Sequence, residues 1–185
     1  VLGEAGAIFV LESEELALSR NAPIYGQILG YGFTCDADHV SAPAVNNRSA
    51  TKAIELCLHR SQLRKDEINY IHAHGTSTRL NDEREANLIA SIFGSQVAVS
   101  STKGATGHTL GASGALGVAF CLMALKNQLI PPCVGVRESP FQLNLTRSAV
   151  NFSLHNCLCL SFGFGGQNAA IAVGRWGRRS GNYEL

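Results

Sequence analysis

Two histidines stand two residues apart in the stretch YIHAHGTSTRLNDERE, residues 70 to 85. If residues 69–74 form a strand, alternation puts the side chains of His72 and His74 on the same face. Two imidazoles on one face can chelate a metal ion, as in some metal-dependent hydrolases, with His108 as a further ligand. The alternatives are that only one histidine takes part in chemistry, or that His72 is a packed or surface residue and His74 caps a turn.

A glycine-rich stretch, STKGATGHTLGASGA, carries the next candidate groups. Lys103 precedes His108 by five residues, and the surrounding glycines allow both side chains to sit over a narrow cavity. Glu85 lies in the helix predicted after the His-Gly-Thr-Ser-Thr turn, where it is placed to pair with Lys103. A lone Lys and His in a glycine loop are often surface residues, so this stretch is weak by itself.

The third stretch is LSFGFGGQNAA. Its functional interpretation is a tight turn whose backbone N–H groups face a developing oxyanion, with Phe162 and Phe164 shaping an acyl pocket. The plain alternative is a glycine hairpin with buried phenylalanines. Neither GATGHT nor GFGGQN fits the P-loop or the dinucleotide-binding fingerprint.

Composition narrows the classes of protein. The chain has 185 residues, a formal net charge of +1, 45% hydrophobic and 16% charged residues. This predicts one globular domain without the basic surface that nucleic acid or an anionic membrane would require. Its apolar stretches are interrupted before the roughly 20 residues of a membrane span, and six cysteines without a C-x-x-C pair favour buried free thiols over a zinc ribbon. We therefore expect a cytoplasmic protein.

The elements that position these groups alternate between strand and helix, which is typical of an α/β layered fold. Apolar periodicity predicts strands over residues 7–11, 24–31, 68–74, 97–101, 129–136, 157–162 and 169–173, and helices over 13–20, 49–60, 82–93 and 109–126. The last helix is small and apolar on every side, which predicts burial all round. The last two strands are expected to form an antiparallel hairpin at the end of the sheet.

In this order and separation, the three stretches resemble the C-terminal half of the elongating β-ketoacyl-acyl-carrier-protein synthases of fatty-acid and polyketide assembly. The segments GEAGAIFVLE and IYGQILGYGFTCDADHVSAP add to the resemblance. It implies the C-terminal half of a thiolase-like layered α/β fold, a mixed five-stranded sheet with helices on both faces. Residues 1–20 would be the last strand and helix of the N-terminal half, 21–175 the C-terminal domain and 176–185 a polar tail.

The resemblance also implies an acyltransferase that needs no cofactor or metal. In this family an acyl cysteine thioester is attacked by the carbanion of a decarboxylating malonyl-carrier thioester. His74 and His108 match the two active-site histidines, and Lys103 and Glu85 match a supporting ion pair. Thr76 and Thr78 match residues that bind the pantetheine arm. Phe164 matches a gating phenylalanine whose backbone N–H completes the oxyanion hole. Phe162 and Gly165 are the expected substrate-binding neighbours.

The chemistry agrees with this assignment, because loss of CO2 puts negative charge on the thioester oxygen. Two imidazole N–H donors would stabilise that enolate more than the ground state. Three positions depart from the pattern of the family. His72 stands where Asn is usual, Gln167 stands where Thr is usual, and Val136 lies in CVGVRESP, where relatives have an Asn after the Pro pair. We expect His72 to be a polar neighbour and the departures to affect substrate preference more than reaction type.

A condensing enzyme also needs a cysteine thiolate, and no cysteine of this chain lies in a matching motif. Because the chain also starts abruptly at Val1, we expect part of a longer enzyme that is inactive alone. The implied partners are the N-terminal half, an acyl carrier protein with phosphopantetheine-linked malonyl and acyl groups, and a second copy in a homodimer. A non-catalytic chain-length-type subunit is the remaining alternative, although both histidines and Lys103 favour an active parent.

Overall fold

A six-stranded mixed sheet forms the centre of the computed structural model, which describes residues 1–177. Across the sheet the strands are β1 (Gln27–Cys35), β8 (Gln167–Gly174), β7 (Asn156–Gly163), β2 (Tyr70–His72), β3 (Ala98–Ser100) and β5 (Asn144–Leu145). Strands β7, β2, β3 and β5 are parallel, whereas β8 is antiparallel to both of its neighbours. A separate antiparallel pair joins β4 (Leu129–Ile130) to β6 (Val150–Asn151). The predicted mixed sheet is confirmed, with the two-residue β5 added to the five expected strands.

Helices cover both faces of the sheet, as predicted. They are α1 (Glu14–Ser19), α2 (Arg48–Ser61), α3 (Arg79–Phe93), α4 (Lys103–Thr106) and α5 (Ser113–Asn127), with 3-10 turns at Lys65–Glu67 and Leu110–Ala112. Alternation along β2 divides the core. Ile71 packs with α2 and α3, whereas Tyr70 packs with α5 on the opposite face. The residue pattern of each strand therefore determines which helix it contacts.

Local sequence explains where the helices begin. The Ser13 hydroxyl accepts from the Leu16 amide at 3.2 Å, and Glu14 and Glu15 follow in the first turn of α1, where acidic residues are favoured. Thr78 caps α3 in the same way through the Asn81 amide at 3.4 Å. These caps agree with the predicted start of α1 and place the start of α3 three residues earlier than predicted.

Three strand predictions were wrong in whole or in part. Residues 7–11 form no strand, because nothing in the described chain pairs with them, and Ile8 and Val10 are 97% and 80% exposed. The strand predicted over 129–136 stops at Ile130, since Pro131 and Pro132 cannot donate to a ladder. The strand predicted over 24–31 lies at Gln27–Cys35, because its whole length pairs with β8.

The final hairpin forms as predicted but lies inside the sheet. Strands β7 and β8 are antiparallel and are joined by residues 164–166. The predicted position at the end of the sheet is wrong, because β1 pairs with the other side of β8. The predicted polar tail over 176–185 falls mostly outside the described residues. Within them, Trp176 donates its ring N–H to the Glu14 carboxylate at 3.3 Å.

Helix α5 is buried on one side only, contrary to the prediction. Its buried residues are Gly117, Val118, Cys121, Ala124 and Leu125. The other side lines an open groove of about 1490 Å³, shared with Ile28 of β1 and with residues 8–12. By length and composition, Leu110–Asn127 meets the criterion for a membrane span, with mean hydropathy 1.4. Because α5 packs on β7 and β8 in this fold, we interpret it as a core helix.

Candidate active site

The predicted site residues meet at one edge of the sheet. Strands β2, β3 and β7 run parallel, so their carboxyl ends lie at the same edge. His74 follows β2, Lys103 follows β3 and Phe164 follows β7. The edge beyond the carboxyl ends of parallel strands is where open α/β sheets bind ligands, and the topology therefore gathers three separate motifs there.

The main chain of His74 is held from both sides. Its N–H donates to Glu85 Oε1 at 2.6 Å, and its carbonyl accepts from the Lys103 ammonium. The Gly75 amide and the Asn81 side chain donate to Glu85 Oε2 at 2.8 Å and 3.2 Å. The direct ion pair predicted between Lys103 and Glu85 is not formed. The two charges instead act on opposite ends of the same residue.

Burial and charge oppose each other in this pair. Burial raises the pKa of Glu85, while the amides of Gly75 and His74, the Asn81 side chain and the charge of Lys103 lower it. Every hydrogen-bond partner of the Glu85 side chain is a donor, which fits the ionised carboxylate. Burial lowers the pKa of Lys103, and the charge of Glu85 opposes that shift. Each charge thus helps to keep the other ionised.

The His74 ring is buried and neutral. It is 5% exposed and meets the rings of His108 and Phe162 edge to face, at centroid distances of 5.4 Å and 5.7 Å. Burial, and then the charges of Lys103 and the other histidines, lower the pKa of His74 to about 3. At neutral pH the imidazole is therefore a hydrogen-bonding group without charge.

His108 is fixed in one tautomer. Its Nδ1 accepts from the Leu110 amide at 3.2 Å, which leaves the proton of the neutral ring on Nε2. Burial and the charge of Lys103 lower the pKa of this ring. His108 therefore offers an Nε2–H donor beside His74.

A backbone contact that sequence reasoning missed holds His108 in place. The His108 amide donates to the Val1 carbonyl at 2.9 Å, and the His108 carbonyl accepts from Gly3 at 3.1 Å. A Cβ on Gly3 would lie 2.1 Å from the Thr106 carbonyl oxygen, so only glycine fits this approach. The motif GEAGA carried no signal for this role beyond its glycines.

His72 does not share a ligand with His74. It is the last residue of β2 and stacks on Phe120 at 6.0 Å, with its Nε2 at 3.0 Å from the Thr102 hydroxyl. The strand predicted through residue 74 ends at His72, and the rings of His72 and His74 have different aromatic neighbours. No set of three His, Cys, Asp or Glu residues within 1–177 has the geometry to hold a metal ion. The geometry gives no support to the alternative of a metal-dependent hydrolase.

The turn between β7 and β8 exposes Phe164. The side chain is 78% exposed, and Gly165 and Gly166 follow with φ of 80° and 74°, which other residues rarely adopt. The amide of Asp36 donates to the Gly166 carbonyl at 2.8 Å, and the amide of Gly165 donates to Val40 at 2.8 Å. The segment after β1 therefore holds this turn. Sequence reasoning had assigned no role to Asp36 or Val40.

The aromatic and hydroxyl residues divide into buried and accessible groups. Phe162, not Phe164, contacts the His74 ring. Thr76 and Thr78 lie just beyond His74, and their hydroxyls are 3.0 Å apart. Thr78 is exposed and also caps α3. The structure therefore places Phe162 in the wall of the site and both threonines at its rim.

The cysteines do not provide an accessible thiolate at this edge. Only Cys35 is exposed. Burial raises the pKa of Cys57 to about 11 and also raises the pKa values of Cys121 and Cys133. Hydrogen bonding to Cys121, and also contact with His72, lowers the pKa of Cys159 to about 5. Cys159 is nevertheless only 4% exposed and sits beneath α5, so it is closed to a thioester substrate in the described chain.

Comparison with known proteins identifies the family of this chain. Residues 25–137 match the beta-ketoacyl synthase C-terminal domain. A 3-oxoacyl-[acyl-carrier-protein] synthase 2 of Synechocystis sp. is 40% identical, and the match covers 95% of this chain and 44% of the relative. The chain thus spans less than half the length of this relative.

Solved structures agree with the sequence match. The ishigamide ketosynthase/chain length factor superposes with a TM-score of 0.92 at 36% identity, covering 96% of this chain and 44% of that one. A type II polyketide acyl-carrier protein in complex with its ketosynthase (AntDE:AntF) contains a chain that superposes with a TM-score of 0.82 at 28% identity, covering 88% and 41%. The thiolase-like fold predicted from the sequence is confirmed.

Proposed function

The chain belongs to the β-ketoacyl synthase family, and from this membership we propose that it is the histidine-bearing part of a condensing enzyme. The reaction would join malonyl-carrier protein to an enzyme-bound acyl thioester, with loss of CO2, in fatty-acid or polyketide synthesis. Relatives named 3-oxoacyl-acyl-carrier-protein synthase and structurally similar ketosynthases support this class of enzyme.

One observation carries the proposal: two neutral imidazoles lie 5.4 Å apart, edge to face, at the carboxyl edge of the sheet. When the malonyl carboxylate leaves as CO2, its bonding electrons move into the thioester and place negative charge on the carbonyl oxygen. Donors from His74 and His108 aimed at that oxygen would stabilise the enolate without themselves losing a proton. The resulting carbanion would attack the acyl thioester and release the enzyme thiolate.

Lys103 and Glu85 serve this step by holding the main chain of His74. The His74 amide donates to the Glu85 carboxylate, and the His74 carbonyl accepts from the Lys103 ammonium, so both ends of the residue are held. The charge of Lys103 also helps to keep both histidines neutral. In this proposal Phe164, on its exposed turn, gates the entrance, and its backbone N–H completes the oxyanion hole for the acyl thioester.

The substrate would arrive on an acyl carrier protein, as in the matched complex. Thr76 and Thr78, at the rim of the site, would hydrogen-bond the phosphopantetheine arm. Gly165, in the turn, would let the arm pass close to the backbone. The enzyme would need no cofactor or metal.

The open face of α5 supports the proposal that another part of the enzyme packs on this chain. Its groove of about 1490 Å³ is mainly apolar, and Met123 is 55% exposed in it. Large exposed apolar patches mark sites where a protein, a ligand or a membrane binds. We propose that the N-terminal half of the same enzyme packs there and supplies the nucleophilic cysteine. This chain alone would then catalyse no condensation.

The test is to measure CO2 release and the 3-oxoacyl product when the intact enzyme is given malonyl- and acyl-carrier protein. His74→Ala and His108→Ala should each lower CO2 release by about 10²-fold or more, the usual effect of losing an oxyanion donor. His59→Ala, at the exposed end of α2, is the matched control and should have no effect. Unchanged release in both site variants would contradict the proposal. A wild-type protein without CO2 release would instead indicate the chain-length-type subunit.

A further inference from the structure

His72 lies behind the proposed site and does not touch His108 or Phe162, the rings that border His74. It is 3% exposed, stacks on Phe120 with an interplanar angle of 4° and meets Tyr70 edge on. Two aromatic contacts therefore fix the plane of its ring. A fixed ring directs its two nitrogens along fixed lines.

The two ring nitrogens of His72 have different surroundings. Nε2 lies 3.0 Å from the Thr102 hydroxyl, whereas buried Nδ1 has no hydrogen-bond partner. Nδ1 faces α5, where a Cβ on Gly117 would lie 3.1 Å from it. The Cys159 sulfur borders the same point, and contact with His72 lowers the pKa of that thiol. The bond to Thr102 is the hydrogen bond of defined geometry that the His72 ring makes.

Thr102 is the point from which α4 is built. Its carbonyl accepts from the amides of Ala105 and Thr106 at 2.9 Å and 3.0 Å, and from the Thr106 hydroxyl at 3.2 Å. Its own hydroxyl does not cap the helix, which leaves that oxygen for His72. The ring of His72 thus fixes the residue that starts α4.

Helix α4 connects this anchor to the proposed chemistry. Its first residue, Lys103, reaches the His74 carbonyl, and its last turn leads through Gly107 into His108. A four-residue helix has too few internal bonds to hold its own position. A shift at Thr102 would therefore move Lys103 and His108 together, relative to His74.

We infer that His72 is a positioning residue, which acts through Thr102 and α4 to hold Lys103 and His108 against His74. This inference rests on the proposed condensing function. It assigns to the first histidine of HAH a role that is neither catalytic nor merely space-filling.

The test compares three variants of the intact enzyme. Thr102→Val and His72→Leu each remove the bond from one side, whereas His72→Gln keeps a side-chain nitrogen at the reach of Nε2. The first two should each lower kcat for CO2 release by about tenfold, the factor expected for one lost hydrogen bond. KM for malonyl-carrier protein should stay unchanged, and His72→Gln should restore most of kcat. The double variant should be no slower than either single variant, because both remove the same bond.

Amide hydrogen exchange separates this inference from the proposed function. The amides of Ala105, Thr106 and Gly107 should exchange about tenfold faster in Thr102→Val and His72→Leu, but not in His72→Gln. Faster exchange in an enzyme whose wild type releases no CO2 would uphold the positioning of α4 and overturn the proposed function. An active wild type in which these variants change neither kcat nor exchange, or lower kcat additively, would overturn the role of His72.

Discussion

The edge of the sheet around His74 and the outer face of α5 are built in opposite ways. At the edge, the buried charged groups are paired within the chain, a carboxylate with two amides and an ammonium with a carbonyl, whereas Nδ1 of the His74 ring has no partner. On the outer face of α5, apolar side chains such as Met123 line an open groove. This chain therefore pairs the buried charges of the site by itself, whereas the apolar face of α5 stays open.

The largest expected effect comes from removing the buried carboxylate. Glu85→Leu has a similar volume but leaves the amides of His74 and Gly75 without an acceptor. We expect a loss of about 3 kcal/mol or more in unfolding free energy. CO2 release should also fall by about 10²-fold, because His74 would no longer be held.

Urea unfolding and CO2 release of the intact enzyme check this prediction. Glu83→Leu, two residues earlier on the exposed side of α3, is the matched control and should change the unfolding free energy by less than about 0.5 kcal/mol. If Glu85→Leu behaved like the control, the polar edge would not depend on its paired charges.

The second prediction concerns the groove. Met123→Glu should weaken the intact enzyme by about 3 kcal/mol, because the charge would be buried when the groove is covered. In the isolated chain the same change should reduce self-association, since it adds charge to an exposed apolar face. Met123→Glu should destabilise the intact enzyme and yet improve the solution behaviour of the isolated chain only if another part of the enzyme covers α5.

Thermal unfolding of the intact enzyme and size-exclusion runs of the isolated chain measure the two effects. Lys52→Glu, on the exposed side of α2 outside the groove, is the control. A wild-type isolated chain that runs as a monodisperse monomer would count against an interface at α5.

The third prediction concerns how the unfolding free energy falls at acid pH because of His74. The pKa of His74 is lowered to about 3 in the folded protein, against 6.5 ordinarily. Between these values the unfolded chain binds a proton that the folded one does not, so stability is full above pH 6.5 and falls as the pH drops toward 3. Urea unfolding of wild type should therefore lose more stability from pH 7 to 4 than that of His74→Asn. Equal losses would mean that His74 is not buried as a neutral ring.

The smallest expected effect is at the rim. Thr76→Val removes a hydroxyl without removing the cap of α3, which Thr78 supplies. We expect KM for malonyl-carrier protein to rise by about fivefold, as for one lost hydrogen bond to the pantetheine arm, with kcat unchanged. Steady-state kinetics measure both values, and a lower kcat with unchanged KM would move Thr76 from binding to chemistry.

The residues at the polar edge were predicted from the sequence better than the exposure of α5. Periodicity located α2, α3 and α5, because it depends on neighbours in sequence. The family resemblance singled out His74, His108, Lys103 and Glu85, and the structure brings these residues together. Sequence reasoning wrongly buried α5 on every side, since composition does not reveal whether a covering element is present. It also wrongly paired Lys103 directly with Glu85, because spacing cannot show that a peptide group lies between two charges.

The contacts that were missed join residues far apart in sequence. Backbone hydrogen bonds join Val1 and Gly3 to His108. Others join Asp36 and Val40 to the glycine turn. Such bonds leave no mark on side-chain pattern. The bond from His72 to Thr102 spans 30 residues and likewise has no local signal.

The charge and tautomer of His74 and His108 in the intact enzyme would show directly whether two neutral imidazoles face the substrate. Ring nitrogen chemical shifts of ¹⁵N-labelled histidine, assigned through His74→Asn and His108→Asn, report both. We expect two neutral rings at pH 7, with the proton of His108 on Nε2 and with His74 still neutral at pH 5. A protonated His74 at pH 7, or a proton on Nδ1 of His108, would contradict the claim that two neutral imidazole donors face the developing enolate.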